Sequence, residues 1–222
     1  MAALGAVVRY DGVARPVDTI GRGVLRSPGH VQALGDAWYV SDLLDGRPVV
    51  IVLSADGRAR QTLDLGAFTN HAHQFAALPD GAIVVEAPDA RLVAVRGDSA
   101  VTFAAIEIGP RPSLILGAGG GVLHAVPDHH LTLYNGFGNI RWRVEWPWAP
   151  TAYVADLAAD SRGRLHVLAG VEATGTFIAY TLEPATGEIV QWSEETEEGS
   201  FQVSRRGAIS PARGRWADGN AR

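Results

Sequence analysis

Two histidine-bearing segments hold the densest chemistry in this chain. His71-Ala72-His73 places two imidazoles on one side of an extended strand, because alternate strand residues share a face. Asp128-His129-His130 offers two more beside a carboxylate. Imidazole and carboxylate suit zinc and other borderline metals, which makes His71, His73, His129 and His130 the candidate metal ligands. Neither spacing is that of a specific metal motif, and ordinary hydrogen bonding accounts for loop histidines, so no resident metal and no cofactor is expected.

A second chemistry would need paired carboxyls. Glycoside hydrolysis requires two of them about 5 Å or about 6.5 to 9.5 Å apart, one with a raised pKa. Asp156, in Val154-Ala155-Asp156-Leu157, with Glu86 or Asp42 is the available pair. The plainer reading makes Asp156 a solvated or turn-capping residue. Nucleophilic catalysis has no footing: there is no Cys, no Gly-x-Ser-x-Gly elbow and no Gly-x-Gly-x-x-Gly opening a helix. The most unusual local sequence is Trp146-Pro147-Trp148-Ala149-Pro150 followed by Tyr153. Aromatics in one connection can stack on sugar rings or anchor a protein partner. Trp146 is the exception, since it continues an alternating strand and is expected to seal packed surfaces instead.

The elements that must position these groups repeat. A turn glycine precedes an apolar strand at Gly35, Gly81, Gly121, Gly163 and Gly207, with spacings of 46, 40, 42 and 44 residues. A second turn follows about 20 residues later in each copy, at Asp56-Gly57, Gly97-Asp98, Gly138-Asn139 and Thr186-Gly187. Short β-branched runs such as Val49–Leu53, and the alternation of Arg141-Trp142-Arg143-Val144-Glu145-Trp146, are strand patterns; no long stretch carries a 3.6-residue period. Four strands per repeat of about 40 residues resembles a β-propeller blade.

Complete copies run from His30 to Gly66, Phe68 to Gly109, Arg111 to Trp148 and Tyr153 to Glu195. Half a copy remains at each end: 6–9 and 14–19 at the start, 201–205 and 208–210 near the finish. The expectation is therefore an all-β, five-bladed propeller of four-stranded antiparallel blades, closed by N- and C-terminal strands sharing one blade. One domain covers 1–211 and a non-repeating tail covers 212–222, which could dock on another subunit through Trp216.

Glu183-Pro-Ala-Thr-Gly187-Glu-Ile-Val-Gln-Trp192 resembles the tryptophan-docking turn of quinoprotein-type propeller repeats, in which a Thr-Gly turn is followed by a Trp that packs on the neighbouring blade. One extra residue precedes Trp192, and the other copies lack the motif, so the resemblance implies no quinone. Five blades also resemble the furanosidase-type glycosidases and a sugar-binding lectin. Those enzymes carry an acidic residue on the first strand of an early blade, where this chain offers His30, Gln32, His73 and Gln74.

In a propeller, the loops between second and third strands share one end with the connections between blades, and function concentrates on such scaffold loops. That sorts His30, His71, His73, Arg111, His129, His130, Trp148 and Tyr153 into one candidate binding face. Composition narrows the partners. Apolar residues make up 47% of the 222, charged residues 19%, and the net charge is −5. All 19 basic residues are Arg, without a cluster, so no nucleic-acid partner is expected. Apolar runs fall far short of a membrane span, and the N-terminal residues lack a signal-peptide pattern, which predicts a chain made in the cytoplasm. The expected function is a non-enzymatic binding or assembly module for a carbohydrate or protein partner. A Cys-free, Lys-free chain fits a GC-rich prokaryote or its virus, and one concrete form is a phage tail or receptor-binding component. The rival is a glycoside hydrolase working through Asp156 with Glu86 or Asp42.

Overall fold

The computed structural model describes residues 5–10, 16–69, 74–146, 152–160, 162–193, 201–203, 209–211 and 216–218. Every regular element among them is a β-strand, and no helix is long and apolar enough to cross a membrane. The chain divides into two units, Met1–Tyr10 with Arg15–Ile106, and Asp11–Ala14 with Glu107–Arg222.

The first unit opens with a hairpin of β1 (Val7–Tyr10) and β2 (Pro16–Ile20). Two four-stranded antiparallel meanders follow. One consists of β3 (Val31–Leu34), β4 (Ala37–Leu44), β5 (Arg47–Ser54) and β6 (Ala59–Asp64). The next consists of β7 (Ala76–Ala77), β8 (Ile83–Ala87), β9 (Arg91–Arg96) and β10 (Ser99–Ala105). Both fall inside the expected repeats.

Strand β5 shows why a continuous apolar run folds this way. Val49, Ile51 and Leu53 point to one face and pack with Val40, Leu25 and Val7. Val50 points to the other and joins Leu63 and Leu65 against Phe75, Ile83, Val85 and Val95 of the following meander. A sheet covered on both faces needs apolar residues at every position rather than at alternate ones. Each fully buried Val, Leu, Ile or Phe contributes about 1.5 to 3 kcal/mol of transfer free energy, offset by chain ordering.

The second unit repeats the plan. β11 (Leu114–Ala118), β12 (Gly121–Val126), β13 (His130–Tyr134) and β14 (Ile140–Glu145) form the third meander. β15 (Ala152–Ala159), β16 (Leu165–Val171), β17 (Thr176–Leu182) and β18 (Ile189–Ser193) form the fourth. Leu123, Leu131, Leu133 and Trp142 of the third pack with Leu165, Val167, Tyr180 and Leu182 of the fourth. The Thr186-Gly187 turn is occupied by Trp142 of the third meander. The indole Nε1–H donates to Pro184 O at 2.9 Å, and a Cβ added to Gly187 would lie 2.8 Å from the Trp142 ring. Trp192 packs half-buried on the same cluster.

Near the C-terminus, β19 (Phe201–Val203) and β20 (Ile209–Pro211) pair as a separate two-stranded sheet, and so do β1 and β2. Among the described residues there are four blades, together with a two-stranded hairpin toward each end of the chain. The stretch expected to be a non-repeating tail contains β21 (Trp216–Asp218), which pairs antiparallel with β18 of the same chain, Trp192 opposite Ala217.

Candidate functional site

In the second unit, the end carrying the strand 2–3 turns brings several of the sequence-selected residues together. Arg111 lies on the connection into β11, Asp128 and His129 on the β12–β13 turn, Tyr153 near the start of β15, and Glu172 on the β16–β17 turn. Arg111 Nε donates to Asp128 Oδ1 at 3.0 Å, and its Nη2 pairs with Glu172 Oε1. Its Cζ sits 4.2 Å from the Tyr153 ring centroid, a cation–π geometry. The same ring lies against Gly170, where an added Cβ would fall 2.5 Å from Tyr153 Cζ. Glycine is required there, and the stack Gly170–Tyr153–Arg111 fixes the guanidinium. The Arg111 side chain remains 41% exposed, and its Nη1 has no partner among the described residues. Asp128 holds the Arg111 guanidinium more firmly charged, burial working against it.

His129 is exposed, and its backbone carbonyl accepts from Trp146 N–H at 2.6 Å. His130 points to another face of the blade and is 3% exposed; its Nδ1 lies 3.0 Å from Arg143 Nη2. Because Arg only donates, Nδ1 is the acceptor and the ring proton sits on Nε2. Burial, then Arg143, lowers the His130 pKa. Arg143 also pairs with Glu107 at 2.9 Å.

His30, in the first unit, packs edge-on against Phe75 at 5.1 Å, and burial lowers its pKa to about 4. Asp42 is 2% exposed and anchors backbone: it accepts from Arg26 N–H at 2.8 Å, Ser27 N–H at 2.6 Å and Leu43 N–H at 2.8 Å. Glu86 is half-buried in β8, opposite Leu92. Asp156, in the second unit, follows a bulge in β15; its carboxyl accepts from Leu157 N–H, and burial raises its pKa. His71, His73 and Trp148 lie outside the described residues. Trp146 is buried edge-on against Tyr180 at 5.7 Å, in the sealing role expected for it. Among the described residues no three His, Asp or Glu side chains converge as a metal-ligand set.

Sequence reading missed two participants. Glu172 belongs to no motif, and only its place on a strand 2–3 turn could have indicated it. His166, 1% exposed, lies with Nδ1 3.1 Å from Thr181 Oγ1 and Nε2 3.5 Å from Asp160 Oδ2. This is the order hydroxyl, imidazole, carboxylate, but all three groups are buried, so it cannot meet a substrate. Burial lowers the His166 pKa against the opposing pull of Asp160.

No protein-family model and no curated protein sequence matches the chain. Solved structures do match. A protein of unknown function from Bacteroides caccae aligns at TM-score 0.58 and 14% identity, over 95% of this chain and 81% of that one. The Dos1 propeller aligns at 0.52 and 12%, over 94% of this chain and 56% of that one. The fold is that of a β-propeller. The computationally designed Ika8 protein aligns at 0.50 and 15%, over 91% of this chain and 60% of its own length. This propeller therefore spans less than two thirds of the last two structures, and at such identities the likeness concerns fold alone.

Proposed function

We propose that this chain is a non-enzymatic, five-bladed propeller module that binds a neutral carbohydrate through the loops around Arg111. The observation that carries the reading is the Gly170–Tyr153–Arg111 stack, which holds a guanidinium edge in place before any ligand arrives. Arg111 Nη1 supplies donors, and Glu172 Oε2, also without a partner among the described residues, supplies an acceptor beside it. Two carboxylates outweigh the one guanidinium, which disfavours an anion and suits sugar hydroxyls, groups that both donate and accept. A phage tail or receptor-binding component is the setting that joins this reading to the Lys-free, Cys-free composition.

The fifth blade belongs to the same proposal. In the first unit the β1–β2 hairpin packs on β4 and β5, and in the second β20 lies beside β17, as the two halves of a closing blade would. Because the chain has no Cys, paired substitutions are clean probes. Ser210→Cys combined with Val7→Cys, Val8→Cys or Arg9→Cys should give an intramolecular disulfide in at least one combination; none in any would remove the shared blade.

Binding is tested on an array of immobilised neutral glycans. Arg111→Lys, which keeps charge but loses the planar fork, and Tyr153→Ala should each reduce the signal about tenfold or more. A glycan signal indifferent to both changes, or no signal at all, would overturn the reading. The same glycans assayed for new reducing ends test the hydrolase alternative, favoured by the raised Asp156 carboxyl; release abolished by Asp156→Asn would establish it instead.

A further inference from the structure

The first unit contains an open cleft of about 570 Å³. Its walls are the β4–β5 turn with Arg47 and Pro48, the turn after β6 with Asp64, Ala67, Phe68 and Thr69, and Asp98 of the β9–β10 turn. That volume is in the range of small-molecule sites, about 300 to 1,000 Å³. Two glycines stand in its walls. Gly46 adopts φ +77° with nothing within 4 Å of an added Cβ, and a Cβ on Gly66 would press on Asp64 Oδ1 at 3.1 Å.

The charges are not balanced. Arg47 Nη1 lies 3.1 Å from Asp64 Oδ2, while Asp64 Oδ1 accepts Gly66 N–H at 2.8 Å, so this cation and this carboxylate satisfy each other. Asp98 has no cation paired with it among the described residues, and it leaves the lining with one net negative charge. Pro48, Ala67 and the half-buried Phe68 add apolar surface beside it. An anion would meet Asp98 and an arginine already engaged; a neutral apolar molecule would leave that carboxylate unused. We infer that this cleft binds a small organic cation, an alkylammonium or alkylguanidinium group, with Asp98 as its counter-charge and Phe68 and Pro48 against its alkyl part. The inference does not depend on the carbohydrate reading.

The experiment is an amide-shift titration of the full chain with n-butylammonium and n-butylguanidinium, with butyrate and n-butanol as matched controls. The cations should move the amides of Gly46, Ala67, Phe68, Thr69 and Asp98, with affinities about tenfold above either control and falling as salt rises. The two charge variants should act in opposite directions. Asp98→Asn should weaken cation binding about fivefold, and Arg47→Gln, which releases Asp64, should strengthen it about threefold. Both positions are exposed, and an otherwise unchanged amide spectrum shows that each variant folds. Butyrate moving the same amides as strongly, no response to any cation, or an affinity insensitive to Asp98→Asn would each overturn the inference. N-acetyl-arginine amide, as an added probe, separates a protein side chain from a free amine as the source of the group: binding points to the former, exclusion to the latter.

Discussion

Two blade junctions, one inside each unit, are built on the same plan and finished differently. In the second unit, Trp142 of β14 stands opposite Leu133 just past a bulge and drops its indole onto the β17–β18 turn. In the first, Gln61 of β6 occupies the equivalent place, opposite Val52 and just past the equivalent bulge, and it is exposed. The turns differ as well. The segment Glu183–Glu188 is long enough to present Pro184 O to the indole, whereas Gly97-Asp98 closes β9 to β10 in two residues. An added Cβ at Gly97 would meet nothing. A junction thus becomes core or open surface according to one outer-strand side chain and the length of the turn facing it. The charged cleft of the first unit takes one of its walls, Asp98, from the unsealed turn.

The largest effect should come from removing the seal. Trp142→Ala deletes a buried indole and its hydrogen bond, and should cost about 3 to 5 kcal/mol in urea unfolding. A loss under about 1 kcal/mol would show that the turn, not the ring, holds that junction. Next in size is the response to acid. His30, His130 and His166 have folded-state pKa values below the ordinary value near 6.5 because burial disfavours their charged form. As pH falls, the unfolded chain takes up protons first, so stability is complete above about pH 6.5 and declines below it. For His30 the decline runs to about pH 4 and amounts to roughly 3 kcal/mol. Urea midpoints between pH 7 and 4 should fall accordingly, and His30→Gln should flatten part of the slope. An unchanged midpoint across that range would contradict the burial of these rings. The smallest effect is the converse of the first: Gln61→Trp supplies the missing ring but not the longer turn, and should add only about 1 kcal/mol. A gain as large as the Trp142→Ala loss would mean that turn length is irrelevant.

Much of this architecture was legible because it depends on residues with one physical use. Gly35, Gly81 and Gly163 adopt φ of 60°, 83° and 79° at the turns where the repeat placed them, a conformation that other residues rarely enter. The four blades follow from those turns and from the apolar runs between them. The chain ends were less legible because half-blades carry too few residues for a pattern, and nothing in Trp216-Ala217-Asp218 marks it as a partner for β18. At the site, Arg111 and Tyr153 were reachable from the rule that puts strand 2–3 turns and blade connections at one end. Glu172 was not singled out, since a lone acidic turn residue looks like ordinary solvated surface. His166 was missed for the opposite reason: a histidine inside an apolar strand shows its Thr181 and Asp160 neighbours only once β15, β16 and β17 are side by side.

The three residues of β21 do more than lengthen a sheet. Outer strands of stacked repeats offer unpaired amides and carbonyls on which a stray chain can template itself into a growing fibril. By lying along Gln191–Ser193, the chain's own Trp216–Asp218 segment occupies that template. Protein lacking this segment should therefore show its damage first as turbidity on storage, before any drop in melting temperature.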